Sequence, residues 1–92
     1  MVDMLVPKEL ERVMKGCANH RRIQILLLLR KEPELTLDQI STSLDIDFRV
    51  ASEHIRRLAT GELVLKRYAG RYVHHALTSR AKNILTFLGK LE

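Results

Sequence analysis

The spacing of apolar residues changes character twice along this chain, and those two changes decide which architectures it can adopt. Up to Thr60 apolar residues recur at the three-to-four spacing of helices. Between Leu63 and Leu77 they give way to two runs rich in β-branched and aromatic residues, Leu63 to Tyr68 and Tyr72 to Leu77. Ala69-Gly70-Arg71 joins the runs, and its glycine can take a positive φ, so the pair reads as a hairpin. From Ser79 onward the helical spacing returns.

Punctuation residues divide the helical part. Pro7 suits a first helical position and is followed by Glu9 and Glu11, after which Leu10, Val13, Met14 and Cys17 share one face. Gly16 marks the fraying end of that helix. Asn19 is placed to cap a second helix running to about Lys31. Its centre, Ile23 to Leu29, is apolar almost all round except Gln24, which assigns it to the middle of the core. Pro33 stops it. Thr36-Leu37-Asp38-Gln39 forms a capping box, and Leu37, Ile40 and Leu44 then share a face of a short third helix. The turn Asp45-Ile46-Asp47 follows, with Asp47 capping a fourth helix from Phe48 to Thr60 that Gly61 ends. Ser79 caps the last helix, whose stripe is Ala81, Ile84, Leu85, Leu88 and Leu91.

Helix, helix, helix–turn–helix, hairpin, helix is the order of a winged helix-turn-helix. The expected fold class is therefore mainly α, with about five helices and a two-stranded β-hairpin wing. Ninety-two residues make one domain, 1–92, with the helix-turn-helix at about 36–60 and the wing at about 63–77. So short a chain hides a modest core, and the helices at about 7–17 and 79–91 carry apolar stripes suited to a second copy. Leu10, Val13, Met14, Ile84, Leu85 and Leu88 are the expected dimer contacts, with the hydrophobic Met1–Val6 arm adding to them.

Charge points to the partner. The net +5 is uneven: residues 1–33 carry +3, residues 34–47 carry −4, residues 48–72 carry +4 and the last twenty +2. A basic block beside an acidic one suits a polyanion, although an ordinary solvated surface would also carry it. A single cysteine, Cys17, cannot form an internal disulfide. The longest apolar run, Ile25 to Leu29, is far short of the ~20 residues that span a bilayer. The first residues lack a signal-peptide pattern, so the expected location is cytoplasmic, away from membranes.

On the fourth helix, at 100° per residue, Ala51, Ile55 and Leu58 fall within about 60° of each other and face the core. Arg49, Ser52, Glu53, Arg56 and Thr60 form a polar stripe on the other side. Such a stripe can present donors and acceptors to base edges in a major groove. Arg49, Ser52, Glu53 and Arg56 are the candidate base readers. Arg57 on the flank, His54, Thr60 and the wing residues Lys66, Arg67 and Arg71 are the candidate phosphate contacts. A solvated helix face is the plain alternative, and cross-strand packing is the first role expected of Tyr68 and Tyr72. His54 is expected to pack and make an internal hydrogen bond before it meets phosphate. Of the adjacent His74 and His75, one should point inward and the other outward.

Four segments, in order, resemble a known family. Ala18-Asn19-His20-Arg21-Arg22-Ile23-Gln24-Ile25-Leu26 looks like the opening of the ArsR-type winged-helix repressors. Ala51-Ser52-Glu53-His54-Ile55-Arg56-Arg57-Leu58 resembles their recognition helix. Gly61-Glu62-Leu63-Val64 and Gly70-Arg71-Tyr72-Val73 are similar to their lead into the wing and its return strand. The resemblance covers roughly residues 10–78 and implies a symmetric homodimer on a palindromic double-stranded DNA operator, commonly acting as a repressor. It departs from the metal-sensing members. Leu37 to Thr42 holds no cysteine, and Arg80 to Lys90 holds no His, Asp or Glu, so neither a metal nor another cofactor is expected. Cys17 and His20 are too few for a tetrahedral site and read as a packed thiol and a helix-end histidine. A redox role for Cys17 would need an exposed, electropositive setting. No phosphate loop, nucleophile elbow, zinc-hydrolase motif or triad appears, so no enzyme is expected. A winged-helix protein-interaction module and non-specific DNA or RNA binding stay open as alternatives.

Overall fold

The caps expected at Asn19, Thr36 and Asp47 each start a helix where they stand. A computed structural model of the chain describes residues 6–92. The elements run α1 (Pro7–Cys17), α2 (His20–Lys31), β1 (Leu35–Thr36), α3 (Leu37–Leu44), α4 (Phe48–Thr60), β2 (Val64–Ala69), β3 (Tyr72–Leu77) and α5 (Ser79–Gly89). Asn19 Oδ1 accepts from the amides of Arg21 and Arg22 at 2.9 and 3.2 Å. Thr36 and Gln39 exchange the two bonds of the capping box, 2.8 and 3.2 Å. Asp47 Oδ2 accepts from the amides of Arg49 and Val50 at 3.0 and 3.4 Å. Each such cap contributes about 1 kcal/mol. The last helix differs from expectation: Thr78, not Ser79, caps it, its hydroxyl accepting from the Ala81 amide at 3.1 Å. Either hydroxyl suits that place, and Thr78 wins because it also donates to the Glu62 carbonyl at 2.8 Å, tying the wing's base to α5.

Helix α2 lies at the centre, packed against α1, α3, α4, α5 and β3. Ile25, Leu26 and Leu29 are buried there with Ile40, Leu58 and Leu63. Around them close Ala51 and Ile55 from α4, Val64 from β2 and Ala81 and Leu85 from α5. The turn between α3 and α4 puts Asp45 in the left-handed region at φ 52° and buries Ile46 between the two aspartates. Aspartate tolerates that conformation better than most residues. The helix-turn-helix angle is thereby fixed.

The sheet has three strands, in the order β1-β3-β2. Both pairings are antiparallel, and β2 and β3 run Val64 opposite Leu77 through Ala69 opposite Tyr72. Two residues, Gly70 and Arg71, close the hairpin, with Gly70 at φ 63°. The third strand corrects the expected two-stranded wing. Leu35 and Thr36 pair with His75 and His74, a strand too short to show any alternation in sequence. Gly16 is a second correction. It lies inside α1, buried against Gly61 and Leu63, and marks no frayed end.

Candidate nucleic-acid interface

Once α4 buries Ala51, Ile55 and Leu58, its opposite side must face solvent. Arg49, Ser52, Glu53, Arg56, Arg57 and Thr60 are all exposed. The wing rises beside them. Between α4 and the hairpin runs a groove of about 400 Å³ lined by Phe48, Ser52, Arg56, Lys66, Tyr68 and Arg71, among others. In this groove the helix stripe and the basic wing form one surface of cationic and aromatic groups.

Its charges are not equally available. Glu53 accepts from both Arg56 and Arg57, with Arg56 Nε at 3.2 Å and Arg57 Nε at 3.1 Å. The hydrogen bond from Arg56, backed by the charges of Arg56 and Arg57, holds the Glu53 carboxyl below its usual range, and Glu53 in turn raises the Arg56 guanidinium. Glu53 therefore orients arginines, which sets it apart from the base readers it was grouped with. Arg49 makes no side-chain hydrogen bond or ion pair among the described residues; only its amide is used, by the Asp47 cap. It is the free arginine of the first turn. The Thr60 hydroxyl donates to the Arg56 carbonyl at 3.0 Å, and the Thr60 carbonyl accepts from Arg12 at 2.8 Å.

On the wing, Lys66 and Tyr68 lie on the groove side of β2, while Arg67 lies on the other and pairs with Glu34 at 3.3 Å. Arg71 sits in the turn with its guanidinium 5.9 Å from the Tyr72 ring. The tyrosines are not cross-strand partners. Tyr68 faces Val73, Tyr72 faces Ala69, and both rings are exposed, Tyr68 by 75%. Phe48, which the sequence reading left unassigned, is 51% exposed at the first position of α4. At 100° per residue it falls between Ile55 of the core face and Ser52 of the polar stripe, so its exposure was not readable from the sequence.

This geometry has known counterparts. No family model matches the chain, and no curated protein does. Solved structures do. The chain is similar to a possible transcriptional regulatory protein (fragment 1–100) from Mycobacterium bovis, with 30% identity, 91% of this chain and 89% of that one covered, and a TM-score of 0.78. A solution structure from Mycobacterium bovis, described as a homodimeric winged helix-turn-helix DNA-binding domain of a possible ArsR-family transcriptional regulator, shares 28% identity over 99% of this chain and 88% of that one, TM-score 0.78. The chain belongs to the ArsR-type winged-helix transcriptional regulators. Reduced HlyU from Vibrio cholerae N16961 is similar at 28% identity, 91% and 88% coverage and a TM-score of 0.79.

Within this ArsR-type frame the remaining candidates sort by burial. Val13 and Leu85, expected on the partner-facing stripes, are buried in the core of the single chain. Leu10 and Met14 are exposed, Ile84 and Leu88 are half-buried, and Phe87 and Leu91 add further apolar surface at 56% and 65% exposure. Of the expected Met1–Val6 arm, residues 1–5 lie outside the described residues. His54 is half-buried, and its Nδ1 is buried without a partner, so the expected internal hydrogen bond is missing. Burial first, then the charge of Arg22, lowers its pKa and favours the neutral ring, a poor phosphate anchor. His75 points inward, buried, with Nδ1 2.9 Å from the Leu35 carbonyl; His74 is half-buried, 2.8 Å from the Glu34 carbonyl. Both rings thus staple β3 to the chain leading into β1. Cys17 is buried beside the Met14 carbonyl, and burial raises its thiol pKa, the reverse of what a reactive thiolate needs. No group of three or more His, Cys, Asp or Glu able to hold a metal occurs among the described residues.

Proposed function

We propose that this ArsR-type chain is a sequence-specific double-stranded DNA-binding regulator that acts as a homodimer on a palindromic operator in the cytoplasm, where it represses. The observation that carries this is the groove in which Phe48, Ser52 and Arg56 of α4 stand beside Lys66 and Arg71 of the wing, with the exposed, unpaired Arg49 following Phe48 on the first turn of the same helix. Recognition helices approach base edges through their first turns, and Arg49 has the two-pronged donor set that matches guanine. Phe48 supplies an apolar surface suited to the methyl group of thymine. Lys66 and Arg71 are placed for phosphate. The exposed apolar residues of α1 and α5, Leu10, Met14, Phe87 and Leu91, are the proposed seam between copies. Among the described residues no helix is long and apolar enough to cross a membrane.

Selection of binding sites from random duplexes tests the proposal, followed by titration of the selected and scrambled duplexes at several salt concentrations. A two-fold symmetric sequence should emerge and bind at least ~10³-fold more tightly than scrambled DNA. Salt-dependent binding with no preferred sequence would identify a non-specific DNA or RNA binder, and no binding at all would leave a protein-interaction module.

A further inference from the structure

Behind the reading face, α1, α2 and the C-terminal half of α4 enclose a second cavity of about 190 Å³. Arg12 and Lys15 from α1, Arg22 from α2 and Arg56, Arg57 and Thr60 from α4 line it, above the contact between Gly16 and Gly61. Five cations from three helices converge there, and no carboxylate is among the lining residues. Like charges brought together this way repel one another unless something negative joins them.

Carboxylates outside the cavity supply part of that charge. Glu62 holds Arg12 at 3.6 Å, Glu11 holds Lys15 at 3.2 Å, and Glu53 holds both Arg56 and Arg57. Three carboxylates against five cations leave an excess of at least two positive charges, since Glu62 is also shared with Arg80 at 4.0 Å. Arg22 is the cation with no ion pair among the described residues, and its Nε is buried without an acceptor. A buried N–H with nothing to donate to is rare in folded proteins and calls for a partner. Guanidinium groups donate in forks that match the oxygens of phosphate.

We infer that this cavity is a binding site for a phosphate group, with Arg22 as its innermost donor and Lys15 at its mouth. A phosphate monoester carries about −1.5 to −2 charges near pH 7, which matches the local excess. The site takes either a free phosphate, alone or on a small molecule, or a phosphate of the DNA backbone. The second source rests on the DNA-binding reading; the first does not.

Two measurements on the full chain, with Lys15→Gln and Arg22→Gln beside the unsubstituted protein, separate these sources. Thermal unfolding is followed in inorganic phosphate and in chloride at equal ionic strength. Occupancy of the site should raise the midpoint, by about 4–8 °C once phosphate reaches about five times its dissociation constant and logarithmically with concentration beyond it. Both substitutions should abolish that rise. DNA affinity is then measured in chloride. If phosphate stabilises the protein and Lys15→Gln binds DNA normally, the ligand is a free phosphate. If phosphate has no effect but both variants bind selected and scrambled DNA more weakly by the same factor, with a salt slope lower by about one per site, the ligand is the backbone. No phosphate effect together with unchanged DNA affinity, or with no DNA binding by the unsubstituted protein, overturns the inference. Lys15 is 76% exposed and pairs only with Glu11 on its own helix, so its variant keeps the test independent of any folding defect in Arg22→Gln.

Discussion

Arg49 and Arg56 both lie on the outer stripe of α4, yet their removal should have different costs, because only one of them has a partner to give up. Arg49 makes no side-chain bond in the free protein, so a two-pronged contact to guanine forms at full value. Losing it should cost about 1–3 kcal/mol on the selected duplex, roughly 5- to 150-fold in affinity per half-site. Arg56 begins in an exposed ion pair with Glu53, which solvent screens but which must still be given up. Any base contact made by Arg56 must first offset that pair, so Arg56→Ala should cost less than Arg49→Ala. Arg57 on the flank should lower affinity for selected and scrambled duplexes alike. The assay is fluorescence anisotropy of Arg49→Ala, Arg56→Ala and Arg57→Ala on both duplexes at one salt concentration. Equal losses on both duplexes for Arg49→Ala would show that α4 binds backbone only. A larger loss for Arg56→Ala than for Arg49→Ala would show that the Glu53 pair does not hold Arg56 back.

Four further outcomes follow from the structure. In the wing, Arg71→Ala should lower the log–log salt slope by about one per protomer, and Arg67→Ala by less because Glu34 already neutralises it; equal slopes would refute that distinction. Met14→Glu, at 52% exposure on the proposed seam, should shift the chain from dimer to monomer in sedimentation at micromolar concentration without loss of helicity. Gly16→Ala should stabilise by about 0.5–1 kcal/mol, since an added Cβ meets Leu63 Cδ1 at 3.5 Å, in contact without clash; a lowered unfolding midpoint would contradict this. Burial lowers the pKa of His75 from 6.5, so stability is whole above that pH and falls as pH drops from it toward the folded value, where only the unfolded chain takes up the proton. The unfolding midpoint of His75→Asn should therefore fall less between about pH 7.5 and about pH 5 than that of the unsubstituted chain.

The fold was legible where local chemistry alone decides it. Asn19, the Thr36–Gln39 box, Asp47 and Gly70 each act through atoms within three residues of themselves, and each does in the structure what its sequence context requires. What stayed hidden depends on distant partners. Thr78 outcompetes Ser79 as a cap because Glu62 is beside it. Leu35 and Thr36 become a strand because β3 is there to pair with. Val13 and Leu85 shared a stripe with truly exposed neighbours, and only the packing of α2 shows that the core takes them. The candidate site divides in the same way. The stripe of α4 follows from a 100° rotation per residue, whereas the partners that distinguish Arg49 from Arg56, or Lys66 from Arg67, come from tertiary geometry.

Those partners also explain the alternation of acidic and basic blocks along the chain. The acidic residues 34–47 are not a separate surface facing away from the basic one. Glu34 neutralises Arg67, Asp38 lines the groove, and Asp47 caps the reading helix, while Glu53 holds two arginines of α4. Each lowers the positive potential that would attract any polyanion. Attraction to the backbone supplies affinity without discrimination, so carboxylates placed within the interface weaken binding to all sequences alike. They leave Arg49 unpaired, so the side chain best placed to read a base keeps its contribution while the general attraction is reduced. Because that reduction is common to selected and scrambled sequences it cancels in their ratio, and the ratio rests on base contacts such as the one proposed for Arg49.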